Sequence, residues 1–350
     1  MAYVLQPIAL LNRSLPNIGG LATNRKEVRK ATFLRSEATD MVHSESSRLD
    51  ADNLDLEGPE ETGPSGSRFR RIFWHHPLAW LGIVGITLLT GFSFLGPVLY
   101  RASPYTLHLT SILKPPSAGY PLGTNNLGRN MLARLMLGGQ TSLEVGFAAA
   151  VSAMAIGIVY GLVAGYVGGW VDAVMMRFVD LLRSIPGLFL LIFLDSLVTP
   201  SPGLLILLIA FTSWHGVSRL VRAEVLSLKR RLFVEASQAL GAGPGHIAWK
   251  HLLPNILGTV IVATTFMIAD AVLVIASLSF LGMGLPPPIP NWGAMLADAM
   301  AYLPQHAWWL VYPPGLAVLW TILSISFIGD AFRAALDTRM DSSFRGGKVS

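Results

Sequence analysis

Three observations predict an all-α integral membrane protein with six transmembrane helices and a cytoplasmic two-helix elbow between the fourth and fifth. The first is composition: 52% of residues are hydrophobic and only 13% charged, with a mean hydropathy of +0.52, where a globular chain averages about 25% charged residues. The second is a series of six apolar runs, each near the ~20 residues that a ~30 Å hydrocarbon core requires. The third is the placement of Lys and Arg, which gather beside alternate ends of those runs, as orientation signals do.

Taken in order, residues 1–70 are rich in Ser, Gly, Pro and Asp with few aromatics, a composition that cannot offset chain entropy by burial. They are expected to form a cytoplasmic, largely disordered tail. The first twenty residues are broken by Pro7 and Pro16 and lack a basic lead-in, so they make a poor signal peptide. A transmembrane domain follows over 71–340, with runs at about 77–100, 143–166, 178–198, 203–221, 256–281 and 313–332. The third run carries Asp180, Arg183, Asp195 and Pro186. Residues 341–350 form a short tail. With the amino terminus inside, Arg68, Arg70, Arg71, Arg177, Arg183, Arg219, Arg222, Lys229, Arg230, Arg231, Lys250, Arg333, Arg339, Arg345 and Lys348 fall on inner flanks. The outer loops receive only Arg101, Lys114, Arg129 and Arg134, so both termini and the elbow are expected to be cytoplasmic.

Several functions are excluded or disfavoured at this level. The chain has no cysteine, hence no disulfide framework and no thiolate metal site. Its net charge of +5 is spent beside apolar runs, which argues against nucleic-acid binding. No phosphate-binding loop occurs, since Gly346-Gly347-Lys348 lacks the spacing and context. His246 and His251 on the elbow are poorly placed as metal ligands, and His75 and His76 read as interfacial. No nucleophile and base constellation is found, so the chain is not expected to be an enzyme or to carry a cofactor.

The elbow, 222–254, is a polar, basic interruption between apolar runs. Leu232, Phe233, Ala236, Ala239 and Leu240 share one helical face. Gly241 suits the left-handed position past a helix end, and Pro244 suits the first position of the next helix. Trp249, Leu252, Leu253 and Ile256 make a second apolar face, and Pro254 loosens its far end. By pattern alone this could also be an amphipathic interfacial helix pair with no partner. Charges within spans are costly and so are functional candidates. Asp270, near the middle of the fifth run, could line a translocation path or make a helix-to-helix hydrogen bond. Glu144, Asp195 and Asp330 lie nearer run ends, where snorkelling or structural pairing is expected.

Glu235-Ala236, Gly241 and Leu253-Pro254 together resemble the "EAA" loop of membrane subunits of bacterial ABC importers. Gly123-Thr-Asn125, Gly128-Arg129-Asn130, Arg134, Gly138, Gln140 and Ser142-Leu143 resemble the segment before the second span of the C-type permeases of dipeptide, oligopeptide and nickel importers. Asn125, Asn130 and Gln140 stand where that pattern has two aspartates and an arginine. Ser277-Leu-Ser-Phe-Leu281-Gly-Met-Gly284 and Asn291-Trp292-Gly293 resemble a further signature of the same subfamily, with Ile275 in place of its glutamate. Trp292, Trp308 and Trp309 are expected in an interfacial aromatic belt. The ending Gly329-Asp330 through Arg333, Asp337 and Arg339 is similar too, with Ala334 and Thr338 replacing an acidic residue and a proline.

The resemblance implies one permease subunit of an importer for di- or oligopeptides in the bacterial inner membrane. It implies a second homologous permease, two ATP-binding-cassette ATPase subunits and an extracytoplasmic substrate-binding protein, with ATP bound by the partners. Docking to an ATPase falls to Glu235, Ala236, Ser237, Leu240, Gly241, Ala242, His246, Ile247 and Pro254. A nickel or other small-solute importer is the alternative, and an ATP-independent channel or secondary transporter a remoter one.

Overall fold

The computed structural model describes residues 66–336; the expectations for residues 1–65, for the closing Asp337 and Arg339 and for the 341–350 tail lie outside the described residues. Within them all regular structure is helical, and the only β geometry is two isolated bridges, Ser117 with Tyr120 and Thr124 with Asn130. The helices are α1 (Gly66–His75), α2 (Pro77–Leu99), α3 (Met131–Val167), α4 (Gly169–Ser184), α5 (Gly187–Ser196), α6 (Pro202–Ser213), α7 (His215–Leu228), α8 (Leu232–Ala239), α9 (Pro244–Ile247), α10 (Leu253–Phe280), α11 (Trp292–Met300) and α12 (Trp308–Leu336).

The boundary at residue 70 moves. α1 begins at Gly66 and rests on the end of α12, with the Phe73 ring 4.8 Å and the Phe69 ring 6.0 Å from that of Phe332. A larger correction concerns α3, expected only as a span over about 143–166. It is one helix of 37 residues, about 55 Å long at 1.5 Å per residue. Gly138 and Gly139 do not break it because the helix packs through them: a Cβ on Gly139 would meet Ser93 and Trp292. Asn130 starts it by accepting a hydrogen bond from the Ala133 amide at 3.1 Å, which satisfies an otherwise orphaned donor.

Six spans were expected; length and composition single out four helices, α2, α3, the continuous Pro244–Phe280 unit and α12, with α6 and α7 as a fifth if that bent pair is counted as one. The run 178–198 divides between α4 and α5 because Pro186 forces extended backbone on Ile185 (φ −93°, ψ 125°). The α6–α7 pair bends by 46°. Just before the bend the Thr212 hydroxyl donates to the carbonyls of Leu208 and Ile209, each at 3.1 Å, and such back-bonding bends helices.

The long helices α3 and α10 connect two differently built ends. At one, Trp292 is completely buried against Met131, Leu135, Met295 and Trp309. Midway, Val145, Ala149, Leu205, Ile209, Ala271 and Ile275 form a continuous apolar core. At the other end Val217, Val221 and Val225 of α7 meet Val234, Ile247, Leu252 and Ile256 of the elbow and α10.

Candidate functional site: the elbow between α7 and α10

Helix α8 ends at Ala239, and Gly241 follows at φ +81°, a conformation glycine adopts without a Cβ clash. The Gly241 amide donates to the Gln238 carbonyl at 2.9 Å and the Ala242 amide to the Ser237 carbonyl at 3.1 Å. That pair of bonds closes a helix end as a Schellman motif. Pro244 then opens α9, where its missing N–H costs nothing. A π-turn over Ala248–Leu252 leads into α10. Its wider winding brings residues five apart into register, so the His246 and His251 rings, distant by α-helical spacing, have centroids 5.9 Å apart.

The faces of the elbow are sharply divided. Val234, Ile247 and Leu252 are fully buried and hold it to the bundle. Leu232, Phe233, Ala236, Ala239 and Leu240 all face outward, Leu240 being 88% exposed. Of the candidate docking residues, Glu235, Ala236, Leu240, Gly241, His246 and Pro254 are exposed, and Ser237 and Ala242 are half-buried. Ile247 is a correction: with no exposed surface it can anchor the elbow but cannot present itself to another protein. Trp249, expected to share an apolar face with Leu252 and Ile256, is 75% exposed while those two are buried.

The elbow is coupled to the bundle through α7. Gly157, Gly161 and Gly165 on α3 lie one turn apart, and a Cβ on each would sit 2.7–2.9 Å from Val217, Val221 and Val225 respectively. Small residues at that spacing let two membrane helices approach backbone to backbone. On another side, Asp172 and Asp180 of α4 pair with Arg222 and Arg219 of α7. Lys229 caps the arrangement, its Nζ donating to the Tyr166 carbonyl at 2.7 Å and lying 5.3 Å from that ring's centre. The sequence reading missed these pairs, although two aspartates two helical turns apart facing two arginines three apart is a pattern it contained.

The neutral substitutions elsewhere have definite roles. Asn125 Oδ1 accepts from the amides of Leu127 and Arg129 at 3.0 and 2.8 Å, closing a turn. Asn130 caps α3 and donates through Nδ2 to the Tyr100 hydroxyl at 2.7 Å. Gln140 donates to the Ser93 carbonyl at 2.8 Å. Ile275 is buried in the middle core, where a carboxylate would need a partner. Asp195 is also buried, and its Oδ2 accepts from the Gly284 amide at 2.8 Å, a structural pairing. The belt expectation for the tryptophans is corrected for two of three. Trp292 and Trp309 are buried, donating to the carbonyls of Leu135 and Thr124 at 3.0 and 3.2 Å; only Trp308 is exposed. Asp270 is exposed on α10, with no ion pair or hydrogen bond from its side chain among the described residues.

Such a bundle, with four or five helical units long and apolar enough to cross a membrane, defines a multi-pass membrane protein. The model of the family "Binding-protein-dependent transport system inner membrane component" matches residues 157–342, and that of the "N-terminal TM domain of oligopeptide transport permease C" matches 66–116. The chain belongs to this family of membrane transport permeases, and the likeness to its C-type members extends over most of its length. A Brucella suis protein named as a peptide permease is 38% identical over 81% of this chain and 94% of its own. The oligopeptide transport system permease protein OppC of Bacillus subtilis is 36% identical over 77% and 88% respectively. The dipeptide transport system permease protein DppC of Alkalihalophilus pseudofirmus is 35% identical over 81% and 94%.

Proposed function

We propose that this chain is one permease subunit of an ATP-driven importer of di- or oligopeptides, working with a second homologous permease, two ATPase subunits and an extracytoplasmic binding protein. The names of the relatives support the peptide substrate. The observation that carries the coupling role is the division of the elbow, with Val234, Ile247 and Leu252 gripping the bundle while Leu232, Phe233 and Leu240 face away from it. Solitary exposed apolar residues need no explanation, but a cluster on one side of a capped, anchored helix has the character of an interface.

In this reading both termini and the elbow are cytoplasmic, as the basic flanks suggest. Closure of the ATPases carries the elbows together. Because α8 is joined through α7 to the Gly157, Gly161 and Gly165 face of α3, and through Leu252 to α10, its displacement tilts the helices that bound the path. Nothing in the elbow needs to catalyse; Glu235 and its neighbours transmit force. The test is co-purification of the assembled complex. The wild type is expected to retain its ATPase subunits, and Leu240→Asp and Gly241→Pro to lose them, the second because proline cannot adopt φ +81°. Peptide uptake by vesicles holding the permeases with no ATPase or ATP would overturn the proposal.

A further inference from the structure

A cavity of about 450 Å³ opens among α2, α3, α10 and α12, within the range of small-molecule sites. Ile86, Phe94, Phe147 and Ile268 supply apolar walls, Thr90 and Thr265 supply hydroxyls, and Glu144 is the one charged residue lining it. Because α3 starts at Met131, Glu144 lies well inside that helix rather than at a membrane boundary. Thr90, near the middle of α2, and Ile325, past the middle of α12, line the same cavity, so the carboxylate stands near mid-height of the bundle, on a side chain that this chain leaves exposed. Among the described residues no cation pairs with it. A carboxylate at such depth is costly unless it meets water or a cation.

Resting on the peptide-import reading above, we propose that Glu144 receives the amino-terminal ammonium of the peptide in transit, the apolar walls accommodating its first side chains. The occupant follows from charge and size: one carboxylate, two hydroxyls and a cavity fitting the end of a short peptide suit a compact cation on an otherwise uncharged chain. Asp270 does not share this role. It lies two residues beyond Ile268 on α10, about 200° round the helix, and is absent from the cavity wall.

The test uses the whole transporter with its binding protein, reconstituted in vesicles and supplied with an alanine tripeptide bearing a free amine. Glu144→Gln is expected to lower the initial uptake rate at least tenfold while assembly and peptide-free ATP hydrolysis stay at wild-type levels. Glu144→Asp is expected to keep more than half of the rate. Unaltered uptake by Glu144→Gln overturns the inference. So does an equal loss in both variants, or loss of subunit assembly, either of which makes Glu144 a structural or subunit-interface residue. A wild-type complex that moves no peptide overturns the import reading itself, and this inference with it.

Discussion

The two ends of the bundle are finished in opposite ways. At the end formed by 100–130 and 281–308 the key polar and aromatic groups are turned inward: Asn125, Asn130 and Asn291 close turns or cap helices, and the indoles of Trp292 and Trp309 are buried and bonded to backbone carbonyls. At the elbow end three buried side chains hold a capped helix whose remaining apolar residues face outward. The same helices, α3 and α10, serve both. One end is therefore locked by buried hydrogen bonds from side chains to backbone, and at the other the elbow itself is gripped by aliphatic contacts, the Asp172–Arg222 and Asp180–Arg219 pairs joining α4 to α7 rather than to the elbow. The difference teaches where the molecule can bend.

The largest test of that contrast is Trp292→Ala. It empties a fully buried site and removes the indole's hydrogen bond to the Leu135 carbonyl, which should cost about 3–5 kcal/mol, the usual loss for a large buried aromatic. Thermal unfolding in detergent should show a clear drop in midpoint, and a near-wild-type midpoint would show that the locked end is not where stability resides.

Next in size is Gly161→Ala. The added methyl would sit 2.5 Å from the Ser218 carbonyl oxygen and 2.7 Å from Val221 Cβ, and forcing the helices apart should cost about 1–3 kcal/mol. The loss should be local. Amide exchange in α7 and α8 should accelerate while α11 keeps its protection, and equal acceleration at both ends would mean the ends are not independent.

Much of this was legible beforehand for identifiable physical reasons. Gly241 and Pro244 announce their backbone geometry through φ alone, and long apolar runs announce burial in lipid. What was not legible depended on partners distant in the chain. Nothing local distinguishes Trp292, buried under α3, from Trp308, which is exposed. Gly138 and Gly139 do not announce their neighbours until Asn291 and Met295 stand beside the first, and Ser93 and Trp292 beside the second. Ile247 reads like any other elbow residue, yet its burial follows from the valine row of α7. Asn291-Trp292-Gly293 shows both sides: recognisable as a motif, its reason emerges only in three dimensions, where asparagine caps α11, tryptophan fills the core and glycine admits the α10 backbone at Ala276.

The smallest expected effect sharpens the contrast at the locked end. Asp298 on α11 lines a small pocket with Asn125 and Arg134. Partial burial pushes its carboxyl above the usual aspartate range, against the opposing pull of Arg134 and Arg129. A carboxyl whose pKa is higher folded than unfolded adds stability that is fully present below its ordinary pKa and is lost as pH rises through the elevated value. Because the residue keeps an exposed edge, solvent screens most of this. The midpoint advantage of the wild type over Asp298→Asn, which cannot ionise, should therefore shrink modestly as the pH is raised from about 4, near the ordinary aspartate pKa, towards neutrality. A difference that stays constant, or grows, would mean that pairing with Arg134 outweighs burial, and that the locked end is held by charge as well as by hydrogen bonds.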